Sequence, residues 1–468
     1  MKKISRLLVA NRGEIAVRII RACRELGIKS VAAVSEADKD SMAAKIADRV
    51  ICIGPARPAD SYLRADILLC AARGTGCDAI HPGYGFLAEQ PDLAELCRQH
   101  GVLFIGPSPE SLRQMGNKLL ARETVGRYSV PVIPGSGKVR DVKEAYQIAE
   151  EMGYPILIKA AAGGGGKGIK FVMGPEELRV TFETAAAEAR MAFGDETLYL
   201  ERFFSNARHI EVQIVADCSG NVVQVGERDC SMQRRYQKMI EEAPAPSLSD
   251  RQREEMREAG VRIARGMRYE SLGTVEFIFD QEAHQFYFLE MNTRIQVEHP
   301  VSEMISGIDL VKEQIRIAAD EPLPWSQSDV QLTGHAIECR INAETPELGF
   351  QPCPGRIEQW VEPEGRGIRV DSHCYSGYFI SPYYDSLMAK VITWGMDRSE
   401  AIERMRYALE RFVITGVDTT IPFLRDIFDQ PDYIKGQVHT RWTEEYLDSL
   451  HFLTPSGSED GPPLQETR

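Results

Sequence analysis

The stretch GTVEFIFDQEAHQFYFLEMNTRIQVEHP, residues 273–300, contains two runs rich in aromatic and β-branched residues. The segment DQEAH between these runs is typical of a turn, so the stretch predicts two antiparallel strands. If Phe279 pairs with Gln285, then Glu276 and Glu290 lie on one face, diagonal to each other and about 7 to 8 Å apart at the backbone. Their side chains could then meet around one ion, although a solvated sheet face would show the same pattern.

Polar residues continue at every second position beyond the second run. If the chain stays extended, one face carries Glu290, Asn292, Arg294, Gln296 and Glu298. Asn292 then joins the two carboxylates as a third predicted metal ligand, and hard oxygen ligands of this kind suit Mg²⁺. The row could bind a metal nucleotide, clamp an anion and supply a base. A solvent-exposed sheet face would give the same alternation, so the residues alone do not decide between a binding site and an exposed surface.

A glycine-rich run follows the strand-like segment PILIKA. It consists of Gly163, Gly164, Gly165, Gly166, Lys167 and Gly168. Without Cβ atoms, the backbone amides of such a run can approach an anion, which predicts phosphate as the ligand. The run is not a Walker A loop, because Ala161 takes the first glycine position and Gly168 stands where Ser or Thr would hold magnesium. Lys159 and Lys167 flank the run and favour an anion site over a flexible turn.

Three other polar features are candidates for function. The segment ERDCSMQRRYQKMIEEAPAP carries four basic residues in an acidic chain, namely Arg228, Arg234, Arg235 and Lys238. These predict a local anion pocket, with a charged surface loop as the alternative. His209 begins a strand-like stretch, and a lone histidine is more often structural than functional. Arg340 lies in the strand-like HAIECRINAE, where it needs an anionic partner if it is buried.

The order of the predicted elements divides the chain into three units. From LLVA to about Pro107, strand-like and helix-like patterns alternate, which predicts a doubly wound parallel sheet of about 110 residues without a GxGxxG fingerprint. Mixed strands and helices follow as far as a linker near Pro324. The remainder is richer in strands, followed by a helix with Ile402, Met405 and Leu409 on one face. From about Pro455 the chain is polar and rich in Pro and Gly, which predicts a frayed tail.

Composition narrows the classes of function. The chain has 468 residues, with 55 Lys and Arg against 69 Asp and Glu, hence a net charge of −14. An acidic chain has no general attraction to phosphate backbones, so nucleic acid is not an expected partner. No apolar run is long enough to span a membrane, and no secretory signal is evident, so we expect a cytoplasmic protein. The ten cysteines lack a CxxC pair and lie mostly in apolar stretches such as ILLCAA, which predicts reduced core thiols rather than disulfides or a zinc site.

Long motifs in a fixed order give the chain a family resemblance. They include ANRGEIAVRIIRACRELGI, HPGYGFLAE, EVQIVAD, ERDCSMQRR, EEAPAP, EMNTRIQVEHPVSEMISGIDLVKEQIRIA, GHAIECRINAE and PYYDSLMAKVI. With the features above, they resemble the biotin carboxylase family of ATP-grasp ligases from about residue 4 to residue 447. The resemblance implies a Rossmann-like N-terminal domain (1–114), an ATP-grasp domain (115–325) with a mobile glycine-loop lid at about 131–203, a mixed C-terminal domain (326–447) and a flexible tail (448–468). The fold class is therefore α/β and α+β.

The resemblance also implies a reaction. Members of this family use ATP and Mg²⁺ or Mn²⁺ to phosphorylate bicarbonate to carboxyphosphate, and the CO₂ released from it is captured by biotin on a separate carrier protein. The implied nucleotide-binding residues are Lys118, Lys159, the glycine run from Gly163 to Gly168, Glu201, Arg202, Phe204, His209, Gln233 and Tyr236. The implied metal ligands are Glu276, Glu290 and Asn292. Lys238, Arg294, Gln296 and Val297 are expected around bicarbonate, Glu298 as the general base, Arg340 beside the biotin enolate and Tyr84 in the biotin pocket.

The chain departs from the family pattern at a few positions, and other functions compete. Tyr236 stands where many relatives have histidine, Arg202 replaces a common lysine and Ala162 replaces a glycine, so nucleotide affinity and lid flexibility are expected to differ. No biotinyl-lysine motif or carboxyltransferase region follows, which implies a carrier protein and carboxyltransferase subunits as partners, in acetyl-CoA carboxylase or in a pyruvate or other acyl-CoA carboxylase. A homodimer is expected from the family. Alternatives are a different ATP-grasp ligase and a catalytically silent nucleotide-binding subunit.

Overall fold

The N-terminal region forms a five-stranded parallel sheet covered by helices in the computed structural model, which describes residues 2–162 and 168–450. Its elements are β1 (Arg6–Val9), α1 (Gly13–Glu25), β2 (Lys29–Val34), α2 (Met42–Ile46), β3 (Arg49–Cys52), α3 (Ala65–Thr75), β4 (Ala79–His81), α4 (Pro91–Gln99), β5 (Leu103–Phe104) and α5 (Pro109–Gly116). The strand order is β3-β2-β1-β4-β5 with every pair parallel, so the predicted doubly wound sheet is confirmed. Residues such as Leu7, Leu8 and Val9 are fully buried, as expected for parallel strands covered on both faces.

A smaller antiparallel sheet follows, with order β7-β6-β8. The elements of this part are α6 (Lys118–Gly126), α7 (Val142–Met152), β6 (Ile156–Ala160), β7 (Ile169–Val172), α8 (Pro175–Phe193) and β8 (Leu198–Arg202). Helices α7 and α8 cover one face through a core that includes Ile156, Ile158 and Leu178. Most of the predicted phosphate loop, Gly163 to Lys167, lies outside the described residues, as does the predicted tail from residue 451 onward.

A single eight-stranded antiparallel sheet forms the centre of the molecule, with order β13-β12-β9-β10-β11-β14-β21-β19. Its first part comprises β9 (Ala207–Ala216), β10 (Val222–Arg234), β11 (Gln237–Ala243), α9 (Asp250–Gly266), β12 (Ser271–Asp280), β13 (Gln285–Asn292), α10 (His299–Ser306) and α11 (Leu310–Ala318). Helix α9 begins with a capping box between Ser249 and Gln252 and packs its apolar side on the sheet.

The C-terminal region extends the same sheet, which therefore crosses the predicted boundary at residue 326. Its strands are β14 (His335–Asn342), β15 (Glu344–Thr345), β16 (Gln351–Pro352), β17 (Gly355–Arg356), β18 (Gln359–Val361), β19 (Ile368–Ser372), β20 (Phe379–Ile380), β21 (Leu387–Gly395) and β22 (Val413–Thr415). Its helices are α12 (Arg398–Arg411), α13 (Ile421–Asp429), α14 (Pro431–Ile434) and α15 (Trp442–Ser449). Ile402, Met405 and Leu409 of α12 are buried together, as predicted.

Two expectations about side-chain placement are tested by the fold. Six of the ten cysteines are buried, but Cys70 of ILLCAA is exposed, because α3 turns Leu68, Leu69 and Ala72 inward and Cys70 outward. The expectation of a core thiol was wrong at that position. Among the described helices, none combines the length and the apolar character needed to cross a membrane.

Candidate active site

The predicted hairpin is β12 and β13, but its register differs from the prediction. Phe279 pairs with Phe286 rather than with Gln285, so the predicted register was wrong. An irregularity between Glu276 and Phe277 then shifts the pairing by one residue, and Glu276 stands directly opposite Glu290, not diagonal to it. Because this bulge restores the original alternation, the two carboxylates still share a face.

Four charged residues form a row across neighbouring strands at this level. Arg228 of β10 is opposite Glu211 of β9, Glu211 is opposite Glu276 of β12, and Glu276 is opposite Glu290 of β13. Arg228 and Glu211 are fully buried, and the Arg228 Nε lies 2.5 Å from a Glu211 oxygen. The row places three carboxylates side by side with one guanidinium at its end.

Lys238 of β11 reaches over this row. Its ammonium lies 2.6 Å from Glu211, 3.0 Å from Glu276 and 2.6 Å from Glu298. Burial alone lowers the pKa of Lys238, but the charges of these three carboxylates outweigh burial and raise it well above its ordinary value. Lys238 is therefore a cation at neutral pH and holds three acidic residues from three different segments around one point.

Glu298, the predicted base, occupies the cap position before α10. It is 1% exposed, and one oxygen accepts from Lys238 while the other accepts from Arg340 Nη2 at 3.0 Å. Burial raises its pKa, but Lys238, Arg340 and Arg228 outweigh burial and hold the pKa well below the ordinary value. The carboxylate is consequently ionised and able to accept a proton.

The polar row beyond Glu290 is brought together, although the chain does not stay extended. Strand β13 ends at Asn292, so the predicted continuous alternation was wrong. Gln296 and Asn292 donate to the same Glu276 oxygen, at 3.0 and 2.8 Å. Arg294 donates to the side-chain oxygens of Asn292 and Gln296 and also to Glu89, at 2.8 Å from its Nε. The amide oxygen of Asn292 thus faces Arg294 rather than the two carboxylates.

The segment ERDCSMQRRYQKMIEEAPAP does not form a pocket of all four predicted basic residues, and it is a surface loop only at its exposed turn, residues 235–237. It forms the hairpin β10–β11, which brings Arg228 and Lys238 to the same carboxylate, Glu211, while Arg234 and Arg235 have other contacts. Arg228 is buried against Glu211, whereas Arg234 lies over the Phe350 ring and donates to the Gly349 carbonyl. The backbone of Arg235 donates to Glu444. Arg228 and Lys238 are the two basic side chains of the four that contact the carboxylates at the site, and both contact Glu211.

Three of the predicted nucleotide residues, Lys118, Lys159 and Glu201, form ion pairs. Lys159 of β6 and Arg122 both pair with Glu201 of β8, with Lys159 at 2.5 Å. Lys118, at the start of α6, lies 3.2 Å from Glu290, which with neighbouring carboxylates raises the pKa of Lys118 against the effect of burial. These contacts connect the small sheet and the central sheet through charged groups.

The remaining predicted residues lie around the same cleft. Phe204 stacks on Tyr287 at 5.2 Å between ring centres, and Arg202 lies 5.5 Å from the Phe204 ring. The His209 Nε2 is 3.2 Å from Glu276, so this histidine is next to the carboxylates and not isolated in a core. The other positions are the buried Gln233, opposite Lys238; Tyr236, half exposed at the β10–β11 turn; Gly168, with φ of 77°; and Tyr84, which donates to Glu14.

Three consecutive parts of the chain match three known families. Residues 3–112 match the family "Biotin carboxylase, N-terminal domain", residues 117–326 match "Carbamoyl-phosphate synthase L chain, ATP binding domain", and residues 338–445 match "Biotin carboxylase C-terminal domain". Biotin carboxylase 1 of Bacillus subtilis is 52% identical over 444 residues, which cover 95% of this chain and 99% of the relative. The chain belongs to the biotin carboxylase family.

Other members of the biotin carboxylase family are similar over nearly the whole chain. A pyruvate carboxylase subunit of Methanothermobacter thermautotrophicus is 51% identical over 94% of this chain and 90% of its own length. The biotin carboxylase from Campylobacter jejuni, solved as a complex, has a TM-score of 0.93 and 46% identity, covering 95% of this chain and 99% of that one. The biotin carboxylase domain dimer of the Hydrogenobacter thermophilus 2-oxoglutarate carboxylase, solved with MgADP and bicarbonate, has a TM-score of 0.92 and 49% identity, covering 95% and 98%.

The donor set at the site fits the divalent cation implied by the biotin carboxylase family. Glu276 and Glu290 present carboxylate oxygens from adjacent positions on one face, and such hard ligands suit Mg²⁺ or Mn²⁺. Among the residues that the structure describes, Glu290 has one cationic ion-pair partner, Lys118, and its side chain is 29% exposed. Asn292 would have to exchange its contact with Arg294 to supply a third oxygen. His209, Glu211 and Glu276 also bring ligand atoms within 4.8 Å of one another.

Several charged residues at this biotin carboxylase site were not found from the sequence. Glu211 follows His209 at the alternate position in HIEVQIVAD, so the period of β9 could have identified it. Glu89, which contacts Arg294, comes from the N-terminal region, and Glu241 lies on β11 beside Arg340. Lys390 of β21 donates to the Val297 carbonyl at 2.8 Å. These last three depend on contacts between distant segments, for which a single sequence carries no signal.

Proposed function

We propose that this chain carboxylates biotin on a separate biotin carboxyl carrier protein, with bicarbonate and ATP and through carboxyphosphate, as the first half-reaction of acetyl-CoA carboxylase. The observation that carries the proposal is the position of Glu298, ionised and held between Lys238 and Arg340. One side of this carboxylate faces the polar row that leads to the predicted metal ligands, and the other faces the predicted biotin-binding arginine. A base between these two subsites suits a reaction in which phosphorylation of bicarbonate and carboxylation of biotin take place in one active site.

In the first step, bicarbonate lies against Lys238, Arg294, Gln296 and the Val297 backbone. Two anions must approach each other, so their repulsion has to be offset by positive groups in a site that excludes water. Lys238 and Arg294 supply two such charges. Glu298 takes the proton of the bicarbonate hydroxyl, and the freed oxygen attacks the γ-phosphorus of ATP with ADP as the leaving group. The products of this step are carboxyphosphate and ADP.

The nucleotide is held by the residues around the cleft. Lys118, Lys159 and the glycine run from Gly163 to Gly168 bind its phosphates. Glu201, Arg202 and Phe204 lie near adenine, with His209, Gln233 and Tyr236 near ribose and phosphate. Glu276, Glu290 and Asn292 would hold a divalent cation, which would supply positive charge to offset that of the triphosphate. Binding of ATP requires Lys118 and Lys159 to release part of their present contacts with Glu290 and Glu201.

In the second step, carboxyphosphate releases CO₂ and phosphate inside the closed site. A ureido nitrogen of biotin gives its proton to the released phosphate and attacks the carbon of CO₂, forming the N–C bond of carboxybiotin. The transient negative charge on the ureido oxygen lies beside Arg340, whose guanidinium is kept cationic by Glu241 and Glu298. Tyr84 lines the biotin pocket, and its pKa is raised well above the ordinary value by burial and the charge of Glu14, so its hydroxyl stays protonated.

The chain is proposed to act as one component of a larger enzyme in the cytoplasm. The partners are a biotin carboxyl carrier protein and carboxyltransferase subunits, and the dimeric relative from Hydrogenobacter thermophilus supports a homodimer. The relative from pyruvate carboxylase, which is 51% identical, keeps a pyruvate or other acyl-CoA carboxylase open as the parent complex. We also propose the division into domains at 1–114, 115–325 with a lid at 131–203, and 326–447, which the matched family ranges support.

The reaction is tested by ATP cleavage in the purified chain. We expect release of ADP to require bicarbonate and Mg²⁺ and to increase on addition of free biotin, with carboxybiotin formed from labelled bicarbonate. A different ATP-grasp ligase would hydrolyse ATP without stimulation by biotin, and a catalytically silent protein would bind ATP without cleaving it. Either result would contradict the proposal. Capture of the biotinylated carrier from the native host then identifies the parent complex.

A further inference from the structure

Two buried carboxyl groups lie behind Arg340, on the side away from the predicted metal ligands. Glu241 of β11 and Glu338 of β14 stand directly opposite each other in adjacent strands. Both side chains are fully buried. Like charges directly opposite each other in a sheet are destabilising, and an ionised carboxylate without hydrogen bonds is costly to bury. Two ionised carboxylates at this position would therefore be unfavourable.

Hydrogen bonding around the pair is incomplete. Arg340 donates to one oxygen of Glu241 at 2.6 Å and to Glu298 at 3.0 Å. Within the described part of the chain, the second oxygen of Glu241 and both oxygens of Glu338 have no hydrogen-bond partner. Three unpartnered oxygens on facing carboxyl groups are accommodated most simply when the pair carries a proton, because one group can then donate to the other.

No cation on the neighbouring described elements forms an ion pair with Glu338 that would replace this proton. Lys390 of β21 stands opposite Arg340, but its ammonium lies 3.0 Å from Glu14 and 2.8 Å from the Val297 carbonyl, and its partner on β19 is Asp371. Burial raises the pKa of Glu338 well above the ordinary value.

The other packed elements add charges of both signs. On α10, Glu298 adds negative charge, and burial holds the pKa of His299 well below its ordinary range, so that His299 is neutral. On β11, burial raises the pKa of Glu241 to about 7, with Arg340 and Lys238 opposing the change and Glu298 adding to it. The pKa values of Glu241 and Glu338 are therefore both raised, whereas the pKa of Glu298 is lowered.

We infer that Glu241 and Glu338 share one proton and act as an adjustable counterion that positions Arg340 against Glu298. With the proton bound, the pair carries one negative charge and Arg340 is shared between Glu241 and Glu298. When the proton leaves to solvent, the second negative charge draws Arg340 toward the pair, and Glu298 loses part of the positive charge that weakens it as a base. Both residues are positioning residues, because their effect on the reaction passes through Arg340.

The shared proton is tested directly by infrared difference spectroscopy of the full chain. The C=O stretch of a protonated carboxylic acid should be present at pH 6 and should decrease as the pH rises through about 7. We expect Glu338→Gln to remove this titrating band, because the glutamine amide can donate to Glu241 and no second carboxyl group then opposes the ionisation of Glu241. Glu241→Gln provides a second variant if Glu338→Gln does not fold. Absence of a titrating band from the wild-type chain, or its persistence in both variants, would overturn the inference.

The effect on the reaction is tested by the pH dependence of bicarbonate-dependent ATP cleavage, measured at fixed bicarbonate and saturating ATP. In the wild-type chain, we expect the rate to rise ~3-fold or more between pH 6 and pH 8 as the base strengthens. Glu338→Gln fixes the pair at one negative charge, so its rate should match the wild-type rate at pH 6 and fail to rise. Glu358→Gln, the same chemical change at an exposed residue, is the matched control and should keep the wild-type profile.

The two readouts separate this inference from the proposed function, on which its kinetic part rests. If Glu338→Gln lowers the rate equally at pH 6 and pH 8, its role is structural and the inference is wrong. If the wild-type chain cleaves no ATP with bicarbonate, the proposed function fails, but the infrared titration still decides whether the proton is shared. A titrating band lost in Glu338→Gln, together with a flat rate profile, is the outcome that supports the inference.

Discussion

Two buried charge clusters lie on opposite faces of β11, one beginning at Lys238 and the other at Glu242. In the first, one ammonium is shared by three carboxylates, those of Glu211, Glu276 and Glu298. In the second, one carboxylate has two partners. Glu242 accepts from Arg398 at 2.6 and 3.1 Å and contacts His335 at 2.8 Å. Both clusters are buried, but they differ in the number of ionic partners that each charged group has.

The difference shows how a binding site can be told from a structural ion pair. Burial raises the pKa of Glu242, but Arg398 and His335 outweigh burial and lower it to about 2. That cluster is complete, and it ties β11 to β14 and α12 without facing the cleft. In the Lys238 cluster, Arg228 also contacts Glu211 and Arg340 also contacts Glu298, so each ion is shared among several partners instead of closed in one pair. Such shared contacts can be exchanged for contacts with a bound cation or a charged substrate, so shared ions, rather than burial alone, mark the site.

The largest expected effect comes from removing the charge of Glu298 while keeping the shape of its side chain, which tests whether the Lys238 cluster is catalytic. Glu298→Gln should lower bicarbonate-dependent ATP cleavage by about 10²- to 10⁴-fold, because the proton acceptor is lost. Affinity for ATP should be unchanged, and it can be measured by calorimetry on the same preparation. Normal turnover in this variant would rule out the role assigned to Glu298 and, with it, the interpretation of the Lys238 cluster as catalytic.

The opposite test removes the cation from the complete cluster. Arg398→Ala leaves Glu242 buried without its main partner and should lower the free energy of unfolding by about 3 to 5 kcal/mol. The turnover of the remaining folded protein should equal that of the wild type, since the cluster does not face the cleft. Urea unfolding and rate per folded molecule are the measurements. Arg251→Ala, in the exposed pair with Glu255, is the matched control and should be indistinguishable from wild type.

How far the sequence could predict this site depends on the range of the contacts. The aromatic and β-branched runs identified β12 and β13, because strand propensity and alternation are local properties. The register was wrong by one residue, and the bulge before Phe277 corrected the face by a second shift. Glu276 and Glu290 therefore share a face as predicted, because the error in register and the shift at the bulge cancel each other in the alternation of side chains. A bulge has no reliable signature in one sequence, so the register could not be derived.

The charge clusters show the limit more clearly. Lys238 and Arg228 are ten residues apart in one basic segment, and the hairpin brings both to the same carboxylate, Glu211, which the segment itself does not indicate. Glu241 and Glu242 are neighbours in sequence and belong to different clusters because successive side chains of a strand face opposite sides. Which face meets the cleft is decided by the strands alongside, and these come from segments about 100 residues away. Residue types were predictable, but their partners were not.

The pH dependence of stability gives a smaller effect that also distinguishes the clusters. The pKa of Glu242 is about 2 in the folded chain, below its unfolded value of about 4.5, so its ionisation stabilises the fold above pH 4.5, and this stability is lost as the pH falls toward 2. Between pH 6 and pH 3 the loss should be about 2 kcal/mol. Glu242→Gln should show a shallower decrease by this amount in urea titrations at the two pH values. An unchanged slope would show that Glu242 is not held ionised in the fold.

The smallest expected effect separates the two steps of the reaction at Arg340. Because Arg340 contacts Glu298 but is proposed to stabilise the biotin enolate, Arg340→Ala should reduce formation of carboxybiotin about tenfold more than bicarbonate-dependent ATP cleavage, a difference of ~1.4 kcal/mol in transition-state stabilisation. Arg340→Lys keeps one positive charge but cannot donate to Glu241 and Glu298 in the same planar geometry, so it should recover only part of the carboxybiotin rate. Both rates are measured on one preparation with free biotin. Equal losses in the two assays would place Arg340 with the base alone and assign the enolate to another donor.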